Sequence, residues 1–155
     1  MKKLIAYFSP SGNTKAMAEK LAKATGADLF EIKPQTPYTR DDLDWTNKNS
    51  RSSVEMNDKS YRPQIARLPN SLANYDTIFI GFPIWWYVAP TIINTFVENV
   101  DLDGKKVIPF ATSGGSGMGK TLANLKPSCP GANWVEGKVI NGMSEKALAD
   151  WAEKL

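Results

Sequence analysis

Apolar positions along this chain change period repeatedly. Residues 3–8 (KLIAYF) form a short, nearly unbroken apolar run, the mark of a strand covered on both faces. Over 13–25 the spacing becomes helical, with Met17, Leu21 and Ala24 on one face, Asn13 placed to cap the helix and Gly26 to stop it. The segment 28–33 (DLFEIK) alternates polar and apolar residues, as a strand does when one face meets water at a sheet edge. A second buried strand is predicted over 77–82 (TIFIGF). It is followed by a helix that Pro90 or Thr91 opens, with Ile92, Ile93, Phe96, Val97 and Val100 on one side. A further strand covers 106–112, a helix 119–126 and a weaker strand 134–139. The last helix starts at Ser144 and gathers Leu148, Trp151, Ala152 and Leu155.

Five strands alternating with helices predict an α/β class fold: a three-layer, doubly wound arrangement around a five-stranded parallel sheet. The stretch 34–74 breaks the alternation. It is polar and long for a connection, and Thr39-Arg40-Asp41-Asp42 has the form of a capping box opening a helix within it. Connections of this length carry function or a partner contact, or are plain surface excursions. Between Asp76 and Glu98 there is no charge at all, a length that could span a bilayer. Gly81, Pro83 and Pro90 divide it, so we expect a strand, a loop and a helix there, and no membrane span.

The 155 residues suit a single domain over 1–155, and 42% hydrophobic with 23% charged residues is an ordinary globular balance that needs no metal or disulfide staple. The absence of histidine removes Ser-His-Asp and Cys-His catalysis and most zinc sites, so no metal centre is expected. Cys129 has no partner for an internal disulfide, which fits a reducing compartment. The apolar run after Met1-Lys2-Lys3 is shorter than the roughly 7–15 residues of an export signal. A cytoplasmic location is the expectation. The net charge of +3 is spread out, and no Lys/Arg run is dense enough to follow a nucleic-acid backbone.

In an open parallel sheet, ligands bind beyond the carboxyl ends of the strands. The residues after the first predicted strand are Ser9-Pro10-Ser11-Gly12-Asn13-Thr14, a hydroxyl- and amide-rich turn running into a helix. Backbone donors, hydroxyls and a helix dipole are what a phosphate monoester requires, although Ser-Gly-Asn is also a common turn former. After the strand 77–82 come Pro83-Ile84-Trp85-Trp86-Tyr87, whose aromatic faces suit a flat ring, with at least one of them expected to serve the core. After 106–112 come Ser113-Gly114-Gly115-Ser116-Gly117-Met118-Gly119, where glycines let a backbone approach closely. A phosphate cradle, an aromatic platform and a close-approach backbone together describe a site for a flat heteroaromatic ring on a phosphate tail, with FMN as the natural candidate.

On these motifs (SPSGNT after a strand, GFPIWWYVAP, and ATSGGSGMG) the chain resembles the flavodoxin family, over essentially its whole length. It is most similar to flavodoxin-like proteins with a Pro-Ile-Trp-Trp ring loop, which Trp45, Ser50-Arg51-Ser52, Glu55 and Arg62-Pro63 also match. The resemblance implies a sheet ordered 2-1-3-4-5 and non-covalently bound FMN. It places Ser9, Ser11, Gly12, Asn13 and Thr14 on the phosphate. Pro83, Ile84, Trp85, Trp86 and Tyr87, with Thr112, Ser113, Gly114, Gly115, Ser116, Gly117, Met118 and Gly119, would flank the ring. No side chain is then required as a catalytic residue, because the flavin carries the chemistry.

Two functions follow from that resemblance: electron carriage between redox partner proteins, as a monomer or homodimer, or an NAD(P)H-dependent FMN or quinone reductase with a small electron acceptor. Carriage is slightly preferred, although a basic chain of pI near 8.9 departs from the acidic habit of carriers. A third reading comes from Gly114 to Thr121, which fits the P-loop pattern G-x-x-x-x-G-K-T and sits between a strand and a helix. A nucleotidase would also need an acidic strand end for magnesium, and neither 77–82 nor 134–139 supplies one.

Overall fold

The computed structural model describes residues 2–155. Its elements follow the predicted alternation: β1 (Lys2–Tyr7), α1 (Asn13–Thr25), β2 (Asp28–Glu31), α2 (Arg51–Met56), β3 (Tyr75–Pro83), α3 (Thr91–Asn99), β4 (Lys106–Thr112), α4 (Thr121–Leu125), β5 (Asn133–Trp134), β6 (Lys138–Val139) and α5 (Glu145–Glu153). The strands form a parallel sheet in the order β2-β1-β3-β4-β5, with β6 also paired to β4. Registers such as Ile5↔Phe79 and Phe79↔Ile108 bring the carboxyl ends of β1, β3 and β4 to one edge.

Strand alternation divides the core between the two faces. Leu4, Ala6 and Phe8 point to one side with Ile78, Ile80 and Phe82, where α3 supplies Ile92, Ile93 and Phe96. Ile5 and Tyr7 point to the other with Phe79, Ile108 and Phe110, against Met17, Ala18 and Leu21 of α1 and Leu148 of α5. Burial on both sides is why these strands read as continuous apolar runs. The alternating β2 does lie at the sheet edge, with Leu29 exposed.

Four details depart from the sequence expectations. Asn13 is the first helical residue of α1, not its cap; Gly12 holds the cap position at φ 92°, and the Ser9 hydroxyl accepts from the Lys15 N–H at 2.9 Å in place of a side-chain cap. The Thr39–Asp42 capping box forms reciprocally (Thr39 N to Asp42 Oδ2 2.8 Å, Asp42 N to Thr39 Oγ1 3.2 Å) but opens only the single 3-10 turn Asp41–Leu43. The helix of this connection is α2, capped by Ser50, whose Oγ accepts from Ser53 N. The fifth strand is divided, because the pairing slips by one residue between Val107↔Trp134 and Phe110↔Lys138. Pro109 lies at the slip and has no N–H for the ladder. Finally, α4 is a short helix that continues as a 3-10 turn, Lys126–Ser128. No helix among the described residues is long and apolar enough to cross a membrane.

Candidate functional site at the carboxyl edge of the sheet

Three loops converge beyond β1, β3 and β4. The first leaves β1 through Phe8, whose N–H bonds Gly81 O at 2.9 Å, and exposes Ser11, Gly12 and Asn13. Among the described residues, the Asn13 and Thr14 N–H groups have no protein acceptor, and intrahelical bonding begins with Ala16 N to Gly12 O at 3.2 Å. The Ser11 hydroxyl and Asn13 amide likewise have no protein partner there. Unmet donors at the start of a 13-residue helix make this turn suited to an anion. Thr14 differs from its neighbours: it is buried, and its hydroxyl lies 2.8 Å from that of Thr112. That bond ties the first loop to the end of β4.

The second loop continues β3. Ile84 N bonds Thr112 O at 2.9 Å, and Trp85 and Val88 then exchange backbone hydrogen bonds (2.9 and 3.2 Å) across a two-residue turn. Trp86 and Tyr87 occupy that turn with φ of 50° and 68°, the geometry of a type I′ turn normally filled by Asn-Gly. Each bulky residue held there costs about 1–3 kcal/mol. The turn keeps Trp86 and Tyr87 exposed, while Trp85 folds inward edge-on to Phe8 (5.7 Å) and Tyr38 (5.6 Å). Trp85 is thus the aromatic that joins the core.

The third loop is organised by its own serine. Ser113 Oγ accepts from Ser116 N (2.8 Å) and Gly115 N (3.2 Å) and lies 2.9 Å from Ser116 Oγ. At its far end Gly119 has φ 55°, and a Cβ there would stand 2.3 Å from the Tyr87 carbonyl oxygen, so the second and third loops meet backbone to backbone. The P-loop reading finds no support in this geometry. Thr121, whose hydroxyl would bind magnesium in such a loop, is fully buried and donates to Met118 O.

Two groups of residues were not singled out from the sequence as parts of this arrangement. Asn141, just beyond β6, clamps Ser113 by accepting from its N–H (2.8 Å) and donating to its carbonyl (2.9 Å). The other group comes from the 34–74 connection. Glu55, only 2% exposed, accepts from the Tyr38 hydroxyl and from Arg51 Nε at 3.0 Å. Arg51 also lies over the Tyr38 ring (3.7 Å) and donates to Thr36 O. Burial, and then the bond to Glu55, holds the Tyr38 phenol well above its ordinary range. Arg51 and Glu55 match the family pattern in sequence, but the spacing of Tyr38, Arg51 and Glu55 gives no sign that the three meet, with Tyr38 packed on Trp85. The Cys129 thiol is pushed up by burial, the opposite of what an activated thiolate needs.

A doubly wound 2-1-3-4-5 sheet with an anion-suited turn after β1, and two further loops at the same edge, defines the class of flavodoxin-like α/β proteins. The family model described as flavodoxin matches residues 2–155. The chain belongs to the flavodoxin family. It is similar to a candidate flavoprotein from Bacteroides eggerthii DSM 20697 at 53% identity and a TM-score of 0.95, over 99% of this chain and 96% of that one. A flavoprotein from Lactobacillus acidophilus NCFM, crystallised in complex with FMN, is 26% identical with a TM-score of 0.72, over 97% and 98% of the two chains. The uncharacterized NAD(P)H oxidoreductase YcaK of Escherichia coli (strain K12) is 29% identical over 98 residues, 63% of this chain. That match takes in 45% of YcaK, less than half its length.

Proposed function

We propose that this protein is a single flavodoxin-like domain that binds FMN non-covalently and transfers electrons through it. The observation that carries this reading is the turn before α1, where exposed hydroxyl and amide side chains surround backbone donors that no protein atom occupies. Ser9, Ser11, Gly12 and Asn13 hold the phosphate by side chain or backbone, while Thr14 contributes its N–H, its hydroxyl being committed to Thr112. The FMN complex of the Lactobacillus acidophilus relative supports the same cofactor. Bound FMN supplies the redox chemistry. The turn after β3, from Pro83 to Tyr87, offers aromatic faces to the ring. The segment from Thr112 to Gly119 would offer backbone to the ring, and the Ser113–Asn141 clamp fixes its course. A single cysteine, with no partner for an internal disulfide, fits a reducing compartment such as the cytoplasm.

A second reading, an NAD(P)H-dependent FMN or quinone reductase, is favoured by the likeness to YcaK. Loop composition agrees with it: the segments 82–90 and 112–119 contain no carboxylate, and the nearby Glu55 is paired with Arg51. An electron-rich ring would meet little repulsion there. Anaerobic absorption spectroscopy of the FMN-loaded protein separates the two. Rapid bleaching by NADPH alone identifies a reductase; reduction only through a partner reductase identifies a carrier. Failure to bind FMN would contradict both.

A further inference from the structure

We propose that Arg51 and Glu55 are positioning residues for the flavin-ring loop, acting through Tyr38 on Trp85. The flavin in that statement rests on the FMN reading; the placement of Trp85 does not.

The linkage begins in α2, whose six residues are too few to hold a helix without tertiary contacts. Arg51 and Glu55 stand one turn apart on it and form an ion pair, Nε to Oε2 at 3.0 Å. Arg51 also reaches back across the connection, where Nη1 donates to Thr36 O at 2.7 Å and Pro37 O at 3.3 Å. Tyr38 is then held at two points. Its ring face lies 3.7 Å from the guanidinium, and its hydroxyl donates to the other Glu55 oxygen. A ring fixed at face and tip has little freedom to tilt.

The edges of that ring carry the constraint onward. Tyr38 meets Phe8 edge-on at 5.5 Å and Trp85 at 5.6 Å, and Phe8 meets Trp85 at 5.7 Å. Phe8 is anchored by the sheet, fully buried with its N–H on Gly81 O. Trp85 has no such anchor. Ile84 is the last residue of its loop tied to β4, through Thr112 O, while the Trp85 and Val88 backbones bond only each other. The Phe8 and Tyr38 rings therefore set the angle of Trp85, and with it the turn that presents Trp86 and Tyr87.

Stability alone does not call for charge at this place. Well-packed apolar side chains often serve a fold as well as a buried ion pair does, and Glu55 is almost wholly buried. What the guanidinium adds is direction: a rigid fork that bonds a carboxylate and two carbonyls while lying flat on a ring.

The test compares Tyr38→Phe, Glu55→Gln and Arg51→Lys in the full chain. It reads amide and indole NMR without flavin, then fluorescence titrations with FMN and with riboflavin. Arg51→Lys keeps the charge, loses the fork and changes none of the three rings, so shifts it causes at residues 84–88 report movement of the loop. We expect such shifts, and one at the Trp85 indole, in all three variants, with residues 9–14 unmoved. FMN and riboflavin should both bind about threefold or more weaker, by one common factor, because the ring loop moves and the phosphate turn does not. A double-mutant cycle of Arg51→Lys with Trp85→Phe should show coupling of about threefold, where a merely structural role for Arg51 gives independent effects. Shifts confined to residues 34–57, unchanged binding of both flavins, a loss confined to one flavin, or independent effects in the cycle would each overturn the proposal. Should the unmodified chain bind neither flavin, the FMN reading fails by itself. The shifts at 84–88 in the flavin-free variants then decide whether Arg51 and Glu55 place Trp85.

Discussion

Trp86 and Tyr87 stand in a backbone conformation that large side chains resist, and the loop accepts that strain to keep two aromatic faces in solvent. Replacing them with Asn-Gly should therefore stabilise the fold by at least about 1–3 kcal/mol, the strain of one such residue. The same change should weaken FMN binding by about tenfold or more through the lost stacking surface. Thermal melts and flavin titrations of the double variant check both signs. Tyr38 makes the opposite case. Tyr38→Phe strips a hydrogen bond from the buried Glu55 carboxylate and should cost about 1–3 kcal/mol. The phenol also sets an alkaline limit. Its folded pKa lies above the ordinary value of 10.0, so the unfolded chain loses that proton first. Stability from this group is complete below pH 10 and falls as pH rises beyond it. Denaturant melts should show that decline and lose part of it in the Phe variant. The turn's aromatics were legible in the sequence as a candidate platform, but its positive φ angles were not. Nothing in Trp-Trp-Tyr announces a turn that Asn-Gly would fill. Tyr38, Arg51 and Glu55 were equally hidden, because their meeting depends on how the 34–74 connection folds back.

At the scale of elements, β1, β3 and β4 were legible because burial on both faces forces uninterrupted apolar residues. The division of the last strand was not, since its cause, Pro109, lies in the neighbouring strand. The start of α1 was misjudged by one position for a local reason: a glycine cap has no side chain, and Ser9 performs the capping bond from across the loop. Asn141 shows how a short strand can matter through its end. It holds both backbone groups of Ser113, and Ser113 in turn folds the glycine loop. Asn141→Ala should leave the sheet intact yet reduce FMN affinity about three- to tenfold, the worth of about one hydrogen bond. Parallel circular dichroism and flavin titration would distinguish this from general unfolding.

For the whole molecule, the sheet order brings the carboxyl ends of β1, β3, β4 and β6 to one edge, so segments distant in sequence build one site. The Thr14–Thr112 hydroxyl pair joins two of those segments in the interior, and Gly119 against Tyr87 joins two at the surface. On the proposed FMN reading, ligand recognition divides between a tail end, where α1 begins, and a ring end, where aromatics and glycines face solvent. The central claim is that the α1 turn recognises a phosphate monoester. Comparing FMN with riboflavin, which has the same ring and no phosphate, tests it most directly by flavin fluorescence in one buffer. The account predicts FMN binding about a hundredfold or more tighter than riboflavin, equivalent to about 3 kcal/mol from the phosphate. Equal affinity for the two, or no binding of either, would contradict it.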